Sequence, residues 1–407
     1  MNFKIISACI FCVTVFLACQ DANPIRDEGK DILQAYGQMQ SDTLFAEADT
    51  FIVTGKVNTG SSPKLLLGSR QGFEGRFLVK FLALPNDTIK IDSLRIIVSA
   101  TSTYGDDINP LPGKIYLVTE DWDETVNANE SWDYMANIDR SPETTASFEF
   151  TQLDTTVYTD YKVDLPTKLV DVWRDTTNGD QNFGLLFDFE SADHIKEFGS
   201  REGLFSSRRP RLVFAYRIAG NDTVLHDTSY ASLDASLINY TGVFDRGNRY
   251  ISAGYVANSF FKFNLDSIPK SAYIASVQFH FTEDSVNSLI NPNHATEIYL
   301  RDVTSPYEEL PSYEIDSSFT LSTNYSVVLT ETTPHELTLR DSRRAVISKY
   351  FVQDIINEFT TNGSFFLQYV SPGNDVSVYA VKGTHQAAGL ERPYIILEYY
   401  LQSAPRL

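Results

Sequence analysis

The sequence predicts an all-β protein whose body is two β-sandwich domains in tandem, each with one short helix. Three observations lead there. Aromatic residues make up 13% of the 407 residues, with 22 Tyr and 27 Phe, an excess that favours strands over helices. From about residue 47 onward, short runs of β-branched and aromatic residues alternate with Gly, Pro, Asn and Asp clusters, as in a sandwich or barrel. The third observation is that the chain repeats itself once, over an interval far longer than a solenoid unit.

The first element is a leader. Lys4 precedes an uncharged, mostly apolar run from Ile5 to Ala18, which ends at Cys19. The run is too short to span a bilayer but suits a signal-peptide core. Phe16-Leu17-Ala18-Cys19 resembles the lipobox of bacterial lipoproteins, which implies that the leader 1–19 is cut before Cys19, with the lipidated cysteine left as the new residue one. A plain secretory peptide cut elsewhere is the alternative. All three cysteines, Cys9, Cys12 and Cys19, lie in this leader, so an exported domain would rely on its core rather than on disulfides. No other run approaches 18 apolar residues. The expected address is therefore the cell envelope, outer membrane most of all, with lipid as the sole anchor and the leaflet left open. Residues 20–46 are polar, with a helix-like patch from Asp31 to Met39, and read as a flexible tether.

Two modules follow, 47–219 and 220–407, divided in the polar stretch Ala219-Gly220-Asn221-Asp222. Four anchors recur in order at nearly constant offset: Lys80 and Lys262 (182 residues), Ile115 and Ile298 (183), Asn178 and Asn362 (184), Arg209 and Arg392 (183). Within a module, Phe77, Val79 and Phe81 share one strand face, with Leu78 and Lys80 on the other. The stretch 89–100, IKIDSLRIIVSA, reads as a central strand covered on both faces. Leu169, Val172 and Trp173 have helical spacing in the first module, and Val346, Ile347 and Tyr350 in the second.

Composition narrows the function. A net charge of −20 repels phosphate backbones and anionic lipid, which argues against nucleic acid. The six histidines are scattered without metal-ligand spacing, and neither a GxSxG elbow nor a phosphate-cradling glycine loop occurs. Asp121, Asp123 and Glu124 could serve as the paired carboxylates of glycoside hydrolysis. Nothing around them suggests the apolar burial that raises one pKa, so the chain does not read as an enzyme. The same three could hold Ca²⁺ through oxygen ligands, the one cofactor the sequence raises, although no EF-hand spacing is present.

Trp122, Trp132 and Tyr134 are aromatic residues among polar neighbours, which suits the apolar faces of sugars. Otherwise they plug the end of the sandwich. Arg201, Arg208, Arg209 and Arg211 stand out against the acidic background. An arginine fork suits carboxylates of an acidic polysaccharide, while local pairing with Glu197 and Glu202 and protection of a strand edge is the plainer reading.

These landmarks together resemble the DNRLRE family. The first module supplies Asp49-Thr50, Lys80-Phe81, the acidic Trp segment Glu120–Trp132, Val172-Trp173, Asn182-Phe183-Gly184 and Ser200-Arg201-Glu202. The second keeps Asp227-Thr228, Lys262-Phe263, Ser267-Ile268-Pro269 and Arg392-Pro393. The resemblance implies a jelly-roll-like β-sandwich, related to disaggregatase repeats and to a carbohydrate-binding family.

The expected function is non-catalytic capture of a polysaccharide or glycan by a cell-envelope lipoprotein, with Trp122, Trp132, Tyr134, Arg201 and Arg209 as ligand-binding residues. The rival is a structural component of an envelope assembly with protein partners. An exposed aromatic face beside the arginines favours the first, and burial of the aromatics favours the second.

Overall fold

The computed structural model describes residues 39–401 except 85–88, 154–157, 176, 178–181, 291–296, 303–326, 334–335, 340–346, 359–363, 370 and 387. The leader with Cys19, most of the tether and the Asn-Gly anchors at 178 and 362 lie outside the described residues. The chain is mostly β, in antiparallel sheets with few short helices. Among the described residues, no helix is long and apolar enough to cross a membrane.

The strands run β1 (Met39–Lys56), β2 (Lys64–Arg70), β3 (Phe73–Lys80), β4 (Ile89–Tyr104), β5 (Leu111–Val118), β6 (Ile138–Asp139), β7 (Ala146–Phe150) and β8 (Thr159–Leu165). Helix α1 (Lys168–Arg174) precedes β9 (Leu185–Phe189), β10 (Ile195–Gly199), β11 (Arg211–Ile218), β12 (Leu225–Tyr230) and β13 (Leu233–Tyr240). Then come β14 (Asn248–Ser252), β15 (Tyr255–Phe263), β16 (Ala272–Thr282), β17 (Glu297–Asp302), β18 (Val327–Thr333) and β19 (Glu336–Leu339). Helix α2 (Ile347–Ile356) leads to β20 (Ser364–Tyr369), β21 (Val378–Lys382) and β22 (Tyr394–Leu401).

β2 to β13 form one sheet system, whose main path is β12-β11-β4-β10-β2-β3-β9-β5-β6, with β13 joined to β3, β7 to β5 and β8 to β4. The other strands close a barrel in the order β1-β15-β20-β17-β18-β19-β16-β22, and β14 pairs β21 beside it. The repeated anchors occupy matching places. β3 pairs β9, and β9 pairs β5; likewise β15 pairs β20, and β20 pairs β17. The closing strands β11 and β22 pair β4 and β16.

The opening strands, however, are exchanged. β1 pairs β22 through Met39–Phe45 and β15 through Ala46–Lys56. It therefore completes the barrel of the second half, although its sequence position puts 47–56 with the first module. In return β12 and β13, which lie beyond Gly220, pair β11 and β3 of the first half. Residues 39–46 are thus strand rather than tether. Met39, Gln40, Ser41 and Thr43 are exposed, while Ala46 is fully buried in the barrel core.

Two large apolar cores result. One packs Phe77, Val79, Leu165, Trp173, Phe187 and Phe198 among its members, with Ala231 from the exchanged segment. The other packs Phe261, Phe279, Phe365, Ile395 and Leu397, with Ala46 from β1. Full burial of a side chain such as Leu or Phe contributes about 1.5–3 kcal/mol. Both exchanged segments therefore add to the interior of the half that receives them. As the alternation of 77–81 predicts, Phe77, Val79 and Phe81 face the first core, while Leu78 packs beneath the 116–138 region on the opposite face.

Each exchanged segment also carries a buried aspartate held by arginine. Asp49 on β1 accepts from Arg249 Nε of β14 at 2.5 Å and from the backbone N–H of Thr384. Asp234 on β13 accepts from the backbone N–H of Arg201 at 2.7 Å, and the Arg201 side chain donates to the Ser232 carbonyl. Buried carboxyl groups need hydrogen-bond partners, and both of these find theirs across the exchange.

Asp234 gives the fold a pH dependence. Burial pushes its carboxyl up to about 8, against the lowering by the Arg201 N–H, and the nearby Glu202 carboxylate adds to the rise. The folded state thus keeps a proton that the unfolded chain releases near 3.8. Stability from this group is complete below that unfolded value and is lost as pH rises through the folded one. Between them it falls by up to about 1.4 kcal/mol per pH unit. Urea midpoints of the wild type should fall from about pH 4 to about pH 8, and Asp234→Asn, a permanent mimic of the protonated acid, should flatten that slope. A slope equally steep in the variant would refute the assignment.

Candidate functional site

The acidic Trp segment does not form an open platform. Trp122 is 6% exposed and donates from Nε1 to the Phe183 carbonyl at 2.7 Å. Trp132 and Tyr134 are half-buried against the same cluster, with Val118, Val126 and Ile138. They cover the outer face of β3, β9 and β13, where Leu78, Leu186 and Ala235 point. The guanidinium of Arg76 sits 5.0 Å from the Tyr134 ring centroid and 4.5 Å from that of Phe189. The aromatics expected to bind sugar therefore close a small apolar layer, because a sheet covered on one face alone would leave these side chains in water.

The three carboxylates of the segment face three different partners. Lys80 Nζ lies 3.1 Å from Asp121. Asp123 accepts from the backbone N–H of Thr125 at 2.7 Å and from the Thr125 hydroxyl, bonds that hold its carboxyl below the usual range. Glu124 lies 2.6 Å from Arg201. Adjacent residues project in different directions, so sequence proximity does not gather them into one Ca²⁺ donor set. Among the described residues, no group of three His, Cys, Asp or Glu is placed to hold a metal ion.

Arg201 is consumed by its surroundings. Its Nε donates to Glu202 at 2.5 Å, one terminal nitrogen reaches Glu124 and Glu202, and the other reaches the Ser232 carbonyl. Arg209 is partly buried and caps the short 3₁₀ turn Ser206–Arg208. Arg208 stacks on Phe205 and Tyr158, and Arg211 pairs with Asp160 at 2.8 Å. Glu202 is thus a local partner of the cluster, whereas Glu197 pairs with Lys64 at 3.1 Å. Of these four arginines, Arg201 reaches the Trp segment, through Glu124.

An open aromatic site lies elsewhere, where the two halves meet. A cleft of about 270 Å³ is lined by Phe73, Tyr240, Tyr250, Leu289 and Val378, with Gln71 and Asn287 among its polar groups. Its floor is an aromatic cluster. Tyr240 lies 4.6 Å from both Phe73 and Phe244, centroid to centroid, and Phe244 lies 4.7 Å from Tyr250. Phe51 of β1 closes the cluster at 5.3 Å from Tyr250. At the rim, Val243 and Val286 are 90% and 80% exposed. Burial raises the Tyr240 and Tyr250 phenols above their ordinary value, so both stay neutral at physiological pH.

The exchange creates this cleft, because Tyr240 ends β13 and Tyr250 lies in β14, on either side of the crossing between the halves. The sequence signal was Tyr240, Phe244, Tyr250 and Tyr255 punctuated by Gly242, Gly247 and Gly254. It falls in the second module, away from the residues expected to bind ligand.

No family model and no curated protein matches the chain. Among solved structures, the chain is similar to one from infectious bursal virus-derived T=1 particles. That match has 9% identity over 90% of this chain and 74% of the other, at a TM-score of 0.13, a likeness too remote to assign a fold.

Proposed function

We propose that the chain is a non-catalytic, lipid-anchored envelope protein that captures a neutral saccharide in the cleft between two jelly-roll-like sandwiches. The carrying observation is the aromatic cleft itself. Sugar rings present apolar C–H faces that stack on tyrosine and phenylalanine, and binding sites favour junctions between units with a few placed polar groups. Gln71 and Asn287 are such groups. The neutral phenols and the net charge of −20 disfavour a polyanion, and Arg201 and Arg211 are already paired with carboxylates.

The test is retention of the full lipid-anchored chain on a panel of immobilised polysaccharides, with and without Ca²⁺. Retention on a neutral glycan is expected. The double variant Val243→Asp, Val286→Asp alters only exposed rim positions, so stability should move little. Retention should weaken at least about tenfold, roughly 1.4 kcal/mol. No retention on any glycan, with a protein co-purifying, would replace this reading by a second one. A structural component of an envelope assembly is favoured by the reciprocal strand exchange, which ties the halves into one piece, and by the burial of Trp122.

A further inference from the structure

At one end of the first sheet system lies a group of buried polar side chains that the cleft does not use. Lys196 on β10 is fully buried, and its Nζ meets Oδ1 of Asp107, in the loop between β4 and β5. His194 is also fully buried, and its Nε2 stands 3.5 Å from the same Oδ1 without a hydrogen-bond partner. The other ring nitrogen, Nδ1, is 2.9 Å from Asp193, which Asn109 holds at 2.8 Å. The second oxygen of Asp107 accepts the Leu153 backbone N–H at 2.8 Å. The Tyr161 ring lies 5.9 Å from Nζ.

We propose that Lys196 and Asp107 are joined by an intramolecular isopeptide bond that forms within the folded chain. Amine, carboxyl, proton carrier and oxyanion donor are already assembled there. His194 Nε2 takes one proton from the Lys196 ammonium, and the freed amine attacks Cγ of Asp107. The Leu153 N–H stabilises the negative charge that gathers on Oδ2. Asp193, bonded at Nδ1, keeps the lone pair of Nε2 directed at Oδ1, as the carboxylate of a catalytic triad orients its imidazole. A second proton passes from Nζ to Oδ1, the imidazolium returns the first, and the Cγ–Oδ1 bond breaks to release water. One ammonium and one carboxylate become one amide and one water, so no outside reactant is needed.

Burial favours this outcome. Desolvation lowers the Lys196 pKa, against the pull of Asp107, and a neutral amide replaces two charges that are costly to bury. Fixed proximity replaces an encounter in water. The bond would also staple a chain that has no cysteine beyond residue 19.

Peptide mass spectrometry on the full chain, denatured and digested with trypsin, tests the proposal. Cleavage at Arg95, Lys114, Arg174 and Arg201 should give a branched species joining Ile96–Lys114 to Asp175–Arg201, uncut at Lys196 and one water lighter than the sum of its parts. Lys196→Met and Asp107→Ala should abolish it, and His194→Gln should slow its accumulation after refolding. Two separate linear peptides from the wild type, with cleavage after Lys196, would overturn the proposal. So would a dehydrated species that survives Lys196→Met.

Discussion

Deleting residues 39–56 should leave the first sheet system folded and unfold the barrel of the second half. β1 is the strand that joins β15 to β22 and closes the ring. Without it both neighbours present free edges, which pair with other chains and drive aggregation. The barrel also loses Ala46 and Leu44 from its core and Asp49 from beside Arg249. A domain stable by about 5–15 kcal/mol does not survive the loss of a strand hydrogen-bonded on both sides. The first half keeps every strand it uses, since β12 and β13 come from beyond Gly220. All three tryptophans, Trp122, Trp132 and Trp173, lie in that half, so fluorescence isolates it. The deleted chain should keep the wild-type emission maximum and tryptophan unfolding midpoint. Limited proteolysis should meanwhile degrade residues beyond about 248, and a synthetic 39–56 peptide should restore their protection. Loss of the tryptophan transition along with the barrel would show that the halves fold only as one.

How much of this was legible beforehand depends on whether a feature is local. The strands at 77–81 and 89–100 follow from alternation and apolar runs, and α1 follows from the spacing of Leu169 and Trp173. The exchange could not be read that way. In a duplicated sequence, the opening strand of either copy offers the same alternation to the slot beside either FLVKF or FFKF, and periodicity does not name the partner. What decides is non-local, as in the reach of Arg249 to Asp49 across 200 residues. The Trp segment misled for a related reason. Tryptophan among acidic residues suits a sugar platform and an edge-sealing layer equally, and the choice depends on Leu78, Leu186 and Ala235 offering it a face. The cleft was hidden because its walls come from segments that a boundary at Gly220 would assign to separate modules.

The pair that locks β1 makes the second large prediction. Asp49 is fully buried at its side chain and Arg249 nearly so. The carboxylate takes the guanidinium and the Thr384 N–H, and Arg249 also donates to the Arg246 carbonyl at 2.8 Å. Removing one member strands the other as an uncompensated buried charge, at a cost of about 3–5 kcal/mol. Asp49→Ala should therefore lower barrel stability by that amount, read as a fall in the urea midpoint followed by circular dichroism. The tryptophan transition of the first half should move far less. The double variant Asp49→Leu, Arg249→Met should recover most of the loss, because well-packed apolar residues often match a buried ion pair in stability. A double variant as unstable as the sum of the singles would mean that the two act separately. In that case the β1 exchange would be held by strand pairing and core burial, not by this charge pair.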